Sequence, residues 1–171
     1  PRQPSGVDPS HPADEERLTP VMKLCSYIKD GASRYGAMRD DGAIVDLTRR
    51  IGERYPSLVA LLESDAIEAA RIAMAGAPAD FSTTEIEFLP LTAEPVNIFC
   101  VGVNYHDHRA ETGRAGEQYP SAFAKFRESL VGHRQPLVRP RASHIFDFEV
   151  EYTIVIGRTA RSVDVADAMD Y

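Results

Sequence analysis

Apolar positions change their spacing several times along the chain, and each change marks a different element. From Lys23 to Asp46 the text KLCSYIKDGASRYGAMRDDGAIVD alternates short apolar runs with Asp30-Gly31 and Asp41-Gly42. Glycine accepts positive φ, so both dipeptides are hairpin signals, and the stretch predicts two or three short antiparallel strands. Between Ser57 and Ala75 the residues Leu58, Leu61, Leu62, Ile67, Ala70 and Met74 recur at helical spacing. Ser57, after Pro56, is suited to cap that helix, and Gly76-Ala77-Pro78 to stop it. Asp65 divides it into two short helices. Pro90 and Pro95 then mark a linker.

Beyond the linker, VNIFCVGVNY (Val96 to Tyr105) reads as a buried strand. YHDHRAETG starts a helix or lid that stops at Gly113, and RAGEQYP reads as loop. SAFAKF (Ser121 to Phe126) is a short strand. GHRQPLVRPRASH is punctuated by proline, with an extended piece at Leu137-Val138. FDFEVEYTIVIGR is the strongest strand signal in the chain, and its apolar continuation implies burial on both faces. SVDVADAMDY opens a helix that Asp164 can cap. The pattern is still running at Tyr171, so the reading expects a chain cut in mid-element.

The 171 residues and 43% hydrophobic content suit one domain with a small appendage and a real core. Residues 1–21, with five prolines and few apolar groups, read as a disordered extension, and Met22 as a natural start. Residues 22–95 form a small α+β unit with its linker, and 96–171 a mostly β unit. A net charge of −7 argues against a nucleic-acid or anionic-membrane partner. No apolar run reaches the roughly 20 residues of a membrane span. The proline-rich N-terminus lacks the apolar core of a secretory signal. Cys25 and Cys100, far apart in sequence and in apolar surroundings, read as reduced, buried thiols. A cytoplasmic protein is expected.

Three constellations could carry chemistry. In IFDFEVEY, Glu149 and Glu151 share one face of a strand, because successive side chains alternate. Like charges so close repel and need an offset. A solvated face beside a basic neighbour supplies one, and a hard divalent cation supplies the other. Apolar flanks favour the cation, since buried carboxylates need a counter-charge. The second constellation is His108-x-x-Glu111, neighbours at helical spacing. A carboxylate beside an imidazole fixes its tautomer and makes a usable general base, although an incidental surface pair has the same spacing. The third is Lys125, between apolar strand residues, which could hold a substrate carboxylate or extend to the surface. His106 points elsewhere, and His11, His133 and His144 read as loop histidines. Arg134, Arg139 and Arg141 read as a solvated loop.

Taken in order, FCVGVNYHDHRAETG, YPSAFAKFRESLVGHRQPLVRP and DFEVEYTIVIGRTARSVDVADAMDY resemble the fumarylacetoacetate hydrolase family. The shared text is a VG-x-NY-x-DH-x-x-E lead, an F-x-K strand and an E-x-E strand, over Ile98 to Tyr171. Residues 22–95 resemble the smaller N-terminal domain of many bacterial members. The resemblance implies a mixed β-sandwich roll, few helices and a homodimer. It implies Mg²⁺, or Mn²⁺ or Ca²⁺, on Glu149, Glu151 and an aspartate beyond Tyr171. His108 and Glu111 would be the catalytic dyad, and Lys125 would touch substrate oxygens. Members cleave acylpyruvates and other β-diketo acids in aromatic-compound catabolism through a pyruvate enolate that the metal stabilises. Others decarboxylate, isomerise or hydrate acids of the 2-oxo-hept-3-ene-dioate type. Val103 stands where oxaloacetate-decarboxylating members tend to carry arginine, which favours a longer or less charged acyl group. A chain cut at Tyr171 could also be non-catalytic.

Overall fold

The computed structural model describes residues 21–92, 97–113, 119 and 121–171. Strands β1 (Lys23–Lys29) and β2 (Ala32–Met38) form an antiparallel hairpin, with Tyr27 opposite Arg34 and Cys25 opposite Gly36. Asp30 and Gly31 turn the chain with φ of 52° and 75°. Strand β3 (Ile44–Asp46) pairs with the free edge of β2, and the short β4 (Glu87–Phe88) with that of β1, giving the order β3-β2-β1-β4.

Three helices cover one face. Asp46 starts α1 (Leu47–Ile51), its carboxylate accepting the Arg49 N–H at 3.0 Å. Ser57 starts α2 (Leu58–Glu63) by accepting the Ala60 N–H at 3.1 Å. Asp65, at φ 51°, breaks the line before α3 (Ile67–Met74). Strand alternation then splits the core in two. Tyr35, Ala37, Leu47, Tyr55, Leu58, Leu61, Ala66 and Ala70 pack beneath the helices. Cys25, Tyr27, Ile44 and Phe88 form a smaller cluster on the opposite face. Burial pushes the Cys25 thiol up to about 11, against the opposing effect of its contact with the Gly36 carbonyl. Gly36 has a packing reason: a Cβ there would meet the Val45 carbonyl oxygen at 2.6 Å and the Tyr27 ring at 3.2 Å.

An ionic network ties this unit to the loop before β4. Fully buried Asp46 pairs with Arg34 at 2.8 Å. Asp80 accepts the Asp46 N–H at 2.8 Å, pairs with Arg50, and lies 3.4 Å from Arg49. Burial alone would raise the Asp80 pKa. The Arg50 hydrogen bond, the Asp46 N–H and the two guanidinium charges outweigh it and hold the carboxyl below its usual value.

The second half is more open. Strand β5 (Ile98–Gly102) pairs antiparallel with β6 (Ser121–Lys125), with α4 (His106–Glu111) between them in sequence. A 3-10 turn at Arg127–Ser129 follows. The chain then docks on β4. Gly132 is buried against it, the His133 ring meets Phe88 edge-on at 5.2 Å between centroids, and Gln135 Nε2 donates to Glu87 at 2.9 Å. From Leu130 to Asp164 there is no helix or strand.

Four expectations change here. β5 is not a buried strand, because Phe99 is 73% exposed and Val101 also faces out. Leu137-Val138 forms no strand and is exposed. FDFEVEYTIVIGR, expected as the strongest strand and buried on both faces, is irregular, with Val150 82% and Ile154 79% exposed. A strand exists by its ladder, and no described segment pairs with this one. Asp164 precedes a 3-10 helix (Val165–Asp170) and makes no side-chain cap bond. The sheet of this half is a two-stranded hairpin among the described residues. Residues 1–20, and most of the expected loop at 114–120, lie outside the described residues.

Candidate functional site

The hairpin β5–β6 and helix α4 bring the first two candidates together. β5 ends at Gly102, and the chain turns through Val103, a residue at φ 54°. Tyr105 then opens α4, its carbonyl accepting the Arg109 N–H at 3.0 Å. The helix places His108 and Glu111 on one side, with His108 Nδ1 3.7 Å from a Glu111 carboxylate oxygen. The helix ends at Thr112, whose hydroxyl donates to the His108 carbonyl at 2.9 Å, and Gly113 follows at φ 72°.

Glu149 arrives from the irregular segment and stands 3.7 Å from the other ring nitrogen of His108, Nε2. His108 is therefore bracketed by a carboxylate on each nitrogen. At 3.7 Å these are ionic approaches rather than hydrogen bonds. All three groups face solvent in part: His108 is 41% exposed, Glu111 77% and Glu149 70%. A ring so placed can take a proton at one nitrogen and release one from the other.

Glu151 is exposed, like its neighbour Glu149, so water screens their repulsion in this arrangement. Their oxygens are hard donors. A hard dication such as Mg²⁺ is commonly held by one or two carboxylates, with water and substrate oxygens completing its shell. The pair therefore fits such an ion by donor chemistry. Among the described residues, no group of three or more His, Cys, Asp or Glu side chains stands together as a metal site.

Lys125 lies at the far end of the hairpin. It pairs with Ile98, whereas the turn into α4 follows Gly102 opposite Ser121, roughly 13 Å along the ladder. It is exposed and lines a hollow of about 320 Å³ with Asn97, Ile98, Phe99, Phe126 and Arg127. The structure joins His108, Glu111 and Glu149 and leaves Lys125 apart. Of the remaining candidates, His106 and His144 are exposed, His133 is docked on Phe88, and Arg134, Arg139 and Arg141 are exposed loop residues. Cys100 is a free, half-buried thiol opposite Phe123.

Sequence reasoning missed Arg109. Its Nε donates to the Val103 carbonyl at 2.8 Å, across the turn that launches α4. A cation near the end of a short helix was the only local hint. Among the described residues, no helix is long and apolar enough to cross a membrane.

Residues 97–171 match the fumarylacetoacetate (FAA) hydrolase C-terminal family. A provisionally named hydrolase of Burkholderia ambifaria is 33% identical over 150 residues, which is 88% of this chain and 52% of that protein. The mitochondrial oxaloacetate tautomerase Fahd2a of Rattus norvegicus is 32% identical over 132 residues, 76% of this chain and 42% of that protein. A crystal structure of a provisionally named HpcE protein from Mycobacterium smegmatis superposes with a TM-score of 0.52 at 24% identity, over 68% of this chain and 40% of that one. The chain spans about half the length of the curated relatives it matches.

Proposed function

Residues 97–171 belong to the fumarylacetoacetate hydrolase C-terminal family, and on that premise we propose that this protein hydrolyses a C–C bond of an acylpyruvate-type 2,4-dioxo acid. The observation that carries the reading is the bracketing of His108 by Glu111 and Glu149. Glu111 lies one helical turn along and orients the ring through Nδ1. Nε2 is left to take a proton from water, which attacks the distal carbonyl of the substrate. The C–C bond beside that carbonyl breaks. R–CO–CH₂–CO–COO⁻ and water become R–COO⁻, pyruvate and one H⁺: the proton taken by His108 is returned to the methylene carbon, and the second proton of the water leaves to solvent from the new carboxylic acid. Glu149, with Glu151, would hold a Mg²⁺, Mn²⁺ or Ca²⁺ ion. Bound there, the ion would supply Lewis-acid withdrawal of charge from the 2-oxo acid. Lys125 would meet the distal end of a long substrate through its ammonium group. The hairpin β5–β6 would be part of the β-roll that the family resemblance implies.

A second reading stays with the same histidine. Relatives identical to this chain at about a third of the aligned positions are named oxaloacetate tautomerases. A ring flanked by two carboxylates can take a proton from carbon and deliver one to oxygen, breaking a C–H bond and forming an O–H bond while every C–C bond stays intact. One experiment separates the two. The protein is incubated in D₂O with an acylpyruvate or oxaloacetate and Mg²⁺, and the products are followed by NMR. Hydrolysis gives deuterated pyruvate and the matching acid. Tautomerisation gives deuterium at the methylene carbon faster than solvent alone, with the substrate skeleton intact. Either activity should fall by about 100-fold or more in His108→Ala. Full activity in that variant removes both readings.

A further inference from the structure

We propose that Arg109 is a positioning residue that latches the β5–α4 turn in its left-handed form and so aims His108; this deepens the reading above and rests on its choice of His108 as the proton-transfer group. Five described residues other than glycine have positive φ: Asp30, Asp65, Val103, Arg134 and Ser162. Val103 is the only β-branched one. Short polar side chains such as Asp accept the left-handed region with local hydrogen bonds, whereas a β-branched side chain there is strained. Such strain persists only when surrounding contacts hold it.

The contact here is specific. The Val103 carbonyl accepts from Arg109 Nε at 2.8 Å, and both residues are half-buried. A guanidinium donor makes this a charge-assisted bond, stronger than a neutral one. The backbone N–H of the same arginine donates to the Tyr105 carbonyl at 3.0 Å, closing the first turn of α4. One residue thus ties the turn to the helix from two directions. His108 immediately precedes it in sequence, so a turn that relaxes to ordinary φ rotates the imidazole away from Glu149. At six residues, α4 is too short to resist that rotation alone.

The test compares Arg109→Ala, Val103→Gly and the double variant in this chain. Glycine holds positive φ unaided, so Val103→Gly removes the need for a latch. In Arg109→Ala, the Val103 Cα and Cβ shifts should move toward extended backbone. Hydrogen exchange at the Thr112 amide, which bonds the His108 carbonyl at 3.1 Å, should quicken by about 5-fold or more. The double variant should return to within about 2-fold of the parent. Unchanged Val103 shifts in Arg109→Ala, or a double variant as fast as Arg109→Ala, overturns the latch. Turnover gives an independent arm: kcat should fall by about 10- to 100-fold in Arg109→Ala with KM nearly constant, and recover in the double variant. A loss of kcat that Val103→Gly does not rescue also overturns it. Absence of turnover in the parent chain overturns the hydrolase reading alone, and the NMR arm then decides the latch.

Discussion

The two hairpins of this chain carry similar alternating patterns and have different surroundings. In β1–β2, Tyr27 and Tyr35 are fully enclosed, and β3 and β4 close both outer edges. In β5–β6 every residue of β6 is exposed, Phe99 projects into solvent, and no described strand extends either edge. The difference is cover. Alternation states which side chains share a face; helices α1 to α3 decide that the first hairpin's face is a core. The irregular run from Ile145 to Gly157 is the limit of the same contrast, with strong strand composition and no strand partner among the described residues.

The comparison breaks most sharply at Asp46, whose side chain caps α1, pairs with Arg34 and is fully buried. Asp46→Ala removes a cap and strands a half-buried guanidinium, and should cost about 4 kcal/mol of unfolding free energy. The chain contains no tryptophan, and Tyr27, Tyr35 and Tyr55 are buried in the two clusters of the first unit, so near-UV tyrosine dichroism in a urea titration reads that unit. A midpoint unmoved by the substitution would mean that the first unit is not held together as its burial implies. Leu61→Ala, at a fully buried helix position under the same probe, should cost about 3 kcal/mol.

Acid sharpens the comparison by the same network. The Asp80 pKa is held below its usual value by Arg50, the Asp46 N–H and Arg49, which together outweigh burial. A depressed folded pKa gives stability that is complete above the ordinary carboxylate range and lost as pH falls through the folded value. Urea midpoints should therefore drop as the pH is lowered from about 4 toward 2. Asp80→Asn should start from a lower midpoint near neutrality and show a shallower acid slope. An unchanged slope would assign the acid sensitivity to other carboxyls.

Residues such as these explain what could be read without the fold. Ser57, Asp65, Asp30-Gly31 and Gly113 act on atoms within a few positions of themselves, so their signals were legible. Asp80, Arg109 and the approach of Glu149 to His108 depend on partners brought close by folding, and the local sequence does not specify those partners. The His108–Glu111 pair was legible because a helix makes that spacing a contact. The E-x-E segment was misread as a buried strand because composition reports strand preference and says nothing of the ladder that satisfies it.

Gly132 joins the two regions and should show an intermediate effect. A Cβ there would stand 1.8 Å from the Phe88 carbonyl oxygen, with no flexible side chain to yield. Gly132→Ala should lift the docked loop off β4, separate His133 from Phe88, and cost about 2 kcal/mol. The loss of the His133 ring contact is visible as a shift of its NMR resonances toward those of a free imidazole.

The smallest expected effect is the most informative about the second region. Val150 and Ile154 are apolar but exposed, so replacing both with serine removes no buried contact. The urea midpoint should stay within about 0.5 kcal/mol of the parent, against the much larger cost at Leu61. Binding of a hydrophobic dye should fall, because exposed apolar side chains from Phe146 to Ile156 are what such a dye senses. If the double substitution instead costs as much as Leu61→Ala, the segment is covered in solution. The contrast between the hairpins would then lie in the order of assembly rather than in the finished surface. If stability holds and dye binding drops, the segment from Phe146 to Ile156 has strand-forming side chains that enter no sheet among the described residues, and cover remains the variable that separates the second region from the first.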